Sequence, residues 1–255
     1  MISSKKYLYD IFLHKAQPGW MRQILLKSNQ NIIDFLLKLL PQKSLSILEI
    51  GPGKGYFYDA LKTKIMSFSY SALDKNINIL KQLKIPTIYQ SDLPDLPVMK
   101  NKYDLIYLAY VVEHLKNGTE YFHLIKNCRK NLKLDGLIVL LMPNATLNGM
   151  EFWDMDYTHM FPPTKRGIYM GFADNGFTNI DVYEYNDLAL WLTGNPIFWP
   201  WILRFCRILF FWYDYRFFSV FFSFIYKVPD YYLTNIFFRF YIFVKSAGIF
   251  AAAKL

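Results

Sequence analysis

Five short stretches of this chain are apolar almost throughout: 44–50 (SLSILEI), 68–73, 86–89, 103–109 (YDLIYLA) and 137–142 (LIVLLM). A strand with one wet face alternates polar and apolar residues, so runs without that alternation must be covered on both faces. The intervening stretches 55–64, 76–84 and 118–134 carry helical spacing, the last with Thr119 as its cap and Gly136 as its stop. Strands alternating with helices specify crossover connections, and crossovers make parallel neighbours. The expected fold is therefore α/β, a doubly wound sheet with helices on both faces.

The pattern changes after the fifth run. Residues 164–175 read as a helix ending at Gly176, 178–185 (TNIDVYEY) alternate as a strand, and 248–255 (GIFAAAKL) form another. The last two strands are natural hairpin partners, yet far more chain lies between them than the usual hairpin loop of about 2–5 residues. The segment 188–246 is thus expected to be an insertion with its own structure. Ahead of the first strand, an apolar-rich helical stretch at 21–40 stops at Pro41 and covers the edge or mouth of the main domain. The organisation expected is a helical cap over 1–43, a main domain over 44–187 and 247–255, and the insertion over 188–246.

The insertion also holds most of the unusual composition. Phe, Tyr and Trp make up 19% of the chain, and 23 of the 49 aromatic residues fall within 188–246. So much apolar surface excludes an intrinsically disordered chain. Two cysteines, Cys128 and Cys206, make no disulfide framework, which points to a reducing compartment. The amino terminus lacks an uninterrupted apolar core because Asp10 breaks it, so no signal peptide is expected. The charge-free stretch at 188–203 is broken by Gly194, Pro196 and Pro200, and is shorter than the roughly 20 residues a spanning helix needs.

The sharpest sequence signal ends the first strand: Leu48-Glu49-Ile50-Gly51-Pro52-Gly53-Lys54-Gly55. Glycines there let the backbone turn tightly and approach a ligand while the next helix presents its unbonded N–H groups. The dinucleotide pattern G-x-G-x-x-G would need a glycine at 56, where the chain has Tyr56. The spacing present, G-x-G-x-G with Glu49 two residues before the first glycine, resembles motif I of the class I S-adenosylmethionine-dependent methyltransferases. Asp74 ends the second strand, where a carboxylate can accept from both ribose hydroxyls, or cap the helix that follows. The resemblance further implies that Asp92 in QSDLPDLP accepts from the adenine amino group, with Asp95 a competitor. It also places Ala109 and Tyr110 near the methionine part of the cofactor, with Glu113 and His114 behind them. The family fold implied is a Rossmann-like seven-stranded methyltransferase sheet, here with an aromatic-rich helical insertion before its last strand. The cofactor implied is S-adenosyl-L-methionine, held by Glu49, Gly51, Gly53, Gly55, Asp74, Asp92, Ala109 and Tyr110.

The sulfonium methyl of such a cofactor is already activated, so the protein must align an acceptor and exclude water. A hydroxyl acceptor gains about 10²–10⁴-fold from a base that takes its proton. Candidates are His159, His114, Asp154 and Asp156. The stretch DYTHMFPPTKRGIYMGFADNGF resembles a pattern in methyltransferases of surface-polysaccharide and lipopolysaccharide pathways, which favours His159 as base or substrate contact. A hydrogen bond within its own loop is the alternative for His159, and a structural place at a helix start is the alternative for His114. Two cysteines and four histidines lack the spacing of zinc ligands, and no G-x-S-x-G elbow is present, so neither a metal nor a covalent nucleophile is expected.

Within the insertion, Arg216, Ser219, Ser223 and Lys227 fall on one narrow helical stripe with apolar residues all around it. Such a helix lies in a bilayer interface, packs on the main domain or forms a dimer contact. The formal charge of +9 and the wealth of Trp and Tyr suit an anionic membrane surface. Nucleic acid is a weaker partner, because the basic residues are not interleaved with spaced stacking aromatics. The reading that results is a cytoplasmic enzyme, peripheral on the inner face of the cytoplasmic membrane. It would O-methylate a lipophilic or lipid-linked acceptor, a saccharide of cell-surface polysaccharide synthesis. A quinone or isoprenoid-tailed acceptor is the alternative within enzymes, and a non-catalytic membrane-associated assembly protein is the alternative from another class.

Overall fold

The structure is a computed structural model that describes residues 19–40, 44–186, 190–191 and 248–255. Helix α1 (Gly19–Leu36) precedes strand β1 (Leu45–Ile50), helix α2 (Tyr56–Lys64), strand β2 (Phe68–Asp74), helix α3 (Ile77–Gln82) and strand β3 (Thr87–Gln90). Strand β4 (Tyr103–Ala109), a 3₁₀ turn (Val112–His114), helix α4 (Gly118–Asn131) and strand β5 (Leu132–Pro143) follow. Two short helices, α5 (Ala145–Asn148) and α6 (Glu151–Met155), lead to helix α7 (Lys165–Asp174), then strands β6 (Thr178–Tyr185) and β7 (Gly248–Lys254).

The seven strands form one sheet in the order β3-β2-β1-β4-β5-β7-β6. Strands β1 to β5 pair in parallel, and β7 runs antiparallel to both β5 and β6. The expected doubly wound α/β sheet, its seven strands and the late hairpin partners are all present. Alternate residues of the central strands supply two separate cores, as the pleat requires. Leu48, Ile50, Ile106 and Leu108 pack with Leu124 and Cys128 of α4 and Ile168 and Phe172 of α7. On the other face Ile47, Tyr107 and Val139 pack with Ile33 and Leu36 of α1 and Phe57 and Leu61 of α2. Each fully buried side chain of this size contributes about 1.5–3 kcal/mol of transfer free energy.

Several boundaries differ from the expectation for local reasons. Helix α4 is capped by Asn117, whose side chain accepts from the Glu120 N–H, and Thr119 lies inside the first turn. Gly136 does not stop that helix. It lies inside β5, where the register shifts between Tyr103 and Leu105, and a Cβ on it would stand 2.8 Å from the Lys133 carbonyl oxygen. The helix after Asp74 starts at Ile77, because Asn76 is its cap. The amino-terminal helix spans Gly19–Leu36, so only part of the expected cap over 1–43 is described. The expectations for 188–246 lie outside the described residues, apart from Leu190 and Trp191. Among the described residues no helix is long and apolar enough to cross a membrane.

Candidate functional site

The chain leaves β1 toward β2 and β3 on one side, then returns to place β4 on the other side of β1. Loops leaving β1 and β4 therefore diverge, and a crevice opens at their carboxyl ends. A cleft of about 1040 Å³ lies there. Its walls come from the glycine loop, the ends of β2, β3 and β4, the segment after β5, and the inner side of α1.

Gly51 and Gly53 both line the cleft, for different reasons. Gly51 has φ +72°, and a Cβ there would lie 2.5 Å from Val111 Cγ2, so neither the backbone nor the packing tolerates a side chain. Gly53 has φ +49°, and a Cβ there would have nothing within 4 Å, so its missing side chain leaves open space. Gly55 departs from the expectation. It does not line the cleft; it begins α2 with φ +76°, and a Cβ on it would meet Leu83 Cδ2 at 2.7 Å. Its glycine serves the turn and the packing of α2 against the chain after α3.

Asp74 lines the cleft, and its Oδ1 accepts from the Asn76 N–H at 2.8 Å. The helix-cap role falls to Asn76, whose Oδ1 accepts from the Asn78 N–H at 3.0 Å. Burial pushes the Asp74 carboxyl above the usual carboxylate range, with the Asn76 N–H opposing that shift. Asp92 also lines the cleft, whereas Asp95 does not. The Asp95 N–H is bonded to the Asp92 carbonyl, and its own carbonyl accepts from Ser91 Oγ. Of the two acids, the structure brings only Asp92 to the cleft wall.

Ala109 and Tyr110, at the end of β4 beside β1, also line the cleft. Tyr110 has φ +57°, uncommon for an aromatic residue and pinned by its N–H bond to the Leu141 carbonyl. Its hydroxyl lies 2.7 Å from that of Tyr185 at the end of β6. Glu49 faces the cleft from inside the sheet, 3% exposed, and its carboxyl receives the hydrogen bond of the Tyr70 hydroxyl. Burial pushes the Glu49 carboxyl up to about 8, against the opposing effect of that hydrogen bond.

The segment after β5 brings His159 to the same cleft as His114. The two rings lie 5.1 Å apart, centroid to centroid. His159 is buried, and its Nδ1–H donates to the Phe152 carbonyl oxygen at 2.6 Å, which leaves Nε2 as the ring nitrogen not engaged by that bond. His114 Nδ1 lies 2.9 Å from Thr158 Oγ1, and Thr158 Oγ1 donates to Asp156 Oδ1 at 2.7 Å. Burial, followed by the neighbouring His159, holds the His114 imidazole below the usual histidine range. Its loop hydrogen bond makes the alternative role of His159 real, and the cleft-lining position holds at once. Asp156 lines the cleft and Asp154 does not.

Two contributors, Ser28 and Tyr185, were not singled out from the sequence, and Glu113 was placed there only behind Tyr110. Glu113, 1% exposed, lines the cleft with Oε2 unpartnered, and burial pushes its carboxyl up to about 8. Ser28 on α1, also buried, lines the cleft with an unpartnered Oγ. Tyr185 reaches Tyr110 from a strand 75 residues away. Glu113, His114 and His159 were each legible in the sequence, but their meeting across 45 positions was not.

The chain matches the model of a methyltransferase domain over residues 21–182. Comparison with curated protein sequences gives no match. Among solved structures it is similar to an S-adenosylmethionine-dependent methyltransferase from Archaeoglobus fulgidus, at 17% identity and TM-score 0.59, covering 98% of this chain and 100% of that one. It is also similar to phosphoethanolamine N-methyltransferase 2 of Haemonchus contortus in complex with S-adenosyl-L-methionine, at 19% identity and TM-score 0.57, covering 89% of this chain and 52% of that one. At these identities the structural likeness is one of fold.

Proposed function

The chain belongs to the class I S-adenosylmethionine-dependent methyltransferases, and from that premise we propose that it methylates a hydroxyl of a lipophilic or lipid-linked acceptor, a saccharide of cell-surface polysaccharide synthesis. S-adenosylmethionine is its cofactor, and when bound it supplies a methyl group already activated on a sulfonium. The residues present fit that group: Gly53 leaves open space at the glycine loop, and Asp74 and Asp92 offer carboxylates to hydroxyl and amino donors. The cleft volume of about 1040 Å³ leaves room for an acceptor beside the cofactor.

The observation that carries hydroxyl methylation is His159. With its Nδ1–H bonded to the Phe152 carbonyl, Nε2 is the basic nitrogen of a buried ring in the cleft wall. That nitrogen contacts the acceptor hydroxyl and can hold its proton. The lipophilic character of the acceptor rests on the segment that carries His159, where Met150, Trp153, Tyr157 and Met160 are all exposed. Apolar side chains concentrated in one cleft-flanking segment mark a surface that meets an apolar partner. The same surface suits an isoprenoid-tailed quinone, which is the second reading. Membrane seating on the inner leaflet is part of the proposal and is supported by the +9 charge and the composition of 188–246.

The test has two stages. Calorimetric titration of the full chain with S-adenosylmethionine should show one site; no binding to folded protein would favour the non-catalytic assembly reading. Transfer of labelled methyl from the cofactor to lipid-linked saccharide, with none to quinones, is then expected, and the reverse preference would replace the acceptor. Sedimentation with anionic vesicles but not with neutral ones is the expected result for membrane seating.

A further inference from the structure

We propose that Glu113, His114 and His159 bind a divalent first-row transition-metal ion beside the acceptor's place in the cleft. One ligand atom from each of the three residues lies within 4.8 Å of the others. At the centre of an equilateral triangle of that side an ion lies about 2.8 Å from each atom, so shifts below about 1 Å reach the 2.0–2.2 Å of nitrogen and carboxylate ligands. Two imidazoles and one carboxylate form a donor set for zinc, iron or manganese that leaves coordination positions open.

The second observation is independent of the clustering. Glu113 is 1% exposed and its Oε2 has no hydrogen-bond partner, although a buried carboxyl oxygen is costly to leave unsatisfied and nearly all such atoms are bonded. An ordinary structural acid in this position would be bonded to one of the two histidines beside it. An ion supplies the missing partner.

The surroundings already orient the ligands. Metal-bound histidines characteristically engage their second ring nitrogen with a carbonyl, carboxylate or hydroxyl. Here His159 Nδ1 is held by the Phe152 carbonyl at 2.6 Å, and His114 Nδ1 by Thr158 Oγ1 at 2.9 Å, with Thr158 fixed in turn by Asp156. The main chain ties the two ligand-bearing segments together: the Glu113 carbonyl accepts the N–H groups of both Met160 and Phe161, at 2.9 and 3.1 Å. Thus ligand-bearing segments far apart in sequence are clamped at adjacent positions by main-chain bonds.

The consequence for chemistry rests on the hydroxyl-methylation reading above, with His159 Nε2 held by the ion, which then takes over from that nitrogen the task of activating the hydroxyl. An ion in this place polarises the acceptor hydroxyl and lowers its pKa. The proton leaves to water at the cleft mouth, and the oxygen forms its bond to the methyl carbon as the carbon–sulfur bond breaks, leaving a neutral thioether.

Metal-stripped full-length protein should be titrated with Co²⁺ while its visible absorption is followed, and then with Zn²⁺. One equivalent of Co²⁺ displaced by one equivalent of Zn²⁺ is expected, with Glu113→Gln and His159→Asn each weakening Co²⁺ binding by about 100-fold or more, while S-adenosylmethionine affinity is kept. X-ray absorption of the zinc form should show two imidazole ligands, which keeps the site testable if a variant fails to fold. The proposal is overturned if protein that binds S-adenosylmethionine takes up no stoichiometric Co²⁺, if both variants bind it as well as the parent chain, or if the zinc sphere holds sulfur or no imidazole. Stoichiometric metal binding without methyl transfer to any hydroxyl acceptor would instead count against the hydroxyl reading and leave the metal site standing.

Discussion

Gly51 and Gly53 look equivalent as letters, yet their environments predict different losses. A methyl at Gly51 meets Val111 Cγ2 at 2.5 Å in a left-handed backbone, whereas at Gly53 it meets nothing. Gly51→Ala should cost about 2–4 kcal/mol by urea unfolding, and Gly53→Ala only about 1 kcal/mol from its backbone alone. Gly53→Ala should nevertheless weaken S-adenosylmethionine binding, because its methyl enters the cleft; equal stability losses for the two would refute this assignment. Glu49 supplies a pH prediction. Its carboxyl has an ordinary value of 4.5 and is held at about 8 when folded, so the folded state binds that proton more tightly. The stability this provides is complete below about pH 4.5 and is lost as pH rises through about 8. Glu49→Gln should therefore flatten the fall in thermal midpoint between about pH 5 and pH 9 relative to the parent chain, and parallel curves would contradict it. The glycine spacing, Asp74 and Asp92 were legible in the sequence because a turn and the end of a strand are local facts. That Asp92 and not Asp95 lines the cleft was not, since it depends on how the loop after β3 folds back on itself.

Helix α4 shows how far local pattern reaches at the scale of an element. Asn117 Oδ1 accepts the Glu120 N–H at 3.0 Å, and Glu120 returns a carboxylate oxygen to the Lys116 N–H at 2.9 Å. This reciprocal arrangement satisfies N–H groups that the first helical turn cannot pair. Asn117→Ala should cost about 1 kcal/mol, measured by urea unfolding, while Thr119→Ala should change stability by a few tenths of that; the opposite ranking would restore Thr119 as the cap. The helix itself and its apolar face were readable from spacing, but Asn117 and Thr119 are both good caps in isolation. What separates them is the extended backbone at Asn117 and the placing of Glu120 three residues on. The carboxyl end of the same helix failed for a complementary reason. Gly136 looks like a stop, but the long pairing of β5 with β4 draws Leu132 and its followers into the sheet, and tertiary pairing outweighs a local signal.

On the scale of the whole molecule, the last strand has a place that its position in sequence hides. β7 pairs with β5 from Leu137↔Lys254 to Pro143↔Gly248, and with β6 on its other edge. Without it β6 has no neighbour, β5 gains a bare edge, and the buried Ile249, Phe250, Ala251 and Ala253 leave both cores at once. Gly248 also lines the cleft, and Tyr185 packs where a Cβ on Gly248 would stand, at 2.3 Å. Both parts of the site therefore depend on a strand reached only after the aromatic segment. A chain ending before Gly248 keeps the glycine loop, Asp74, Asp92, Glu113, His114 and His159 intact as sequence. It should nonetheless lack a cooperative thermal transition and fail to bind S-adenosylmethionine, since an uncovered edge and two opened cores remove an amount comparable with the roughly 5–15 kcal/mol that holds a typical domain folded. Calorimetric scanning and titration of that truncated chain check the claim, and retained cofactor binding would mean that β1 to β5 with their helices stand as a folding unit without the antiparallel hairpin.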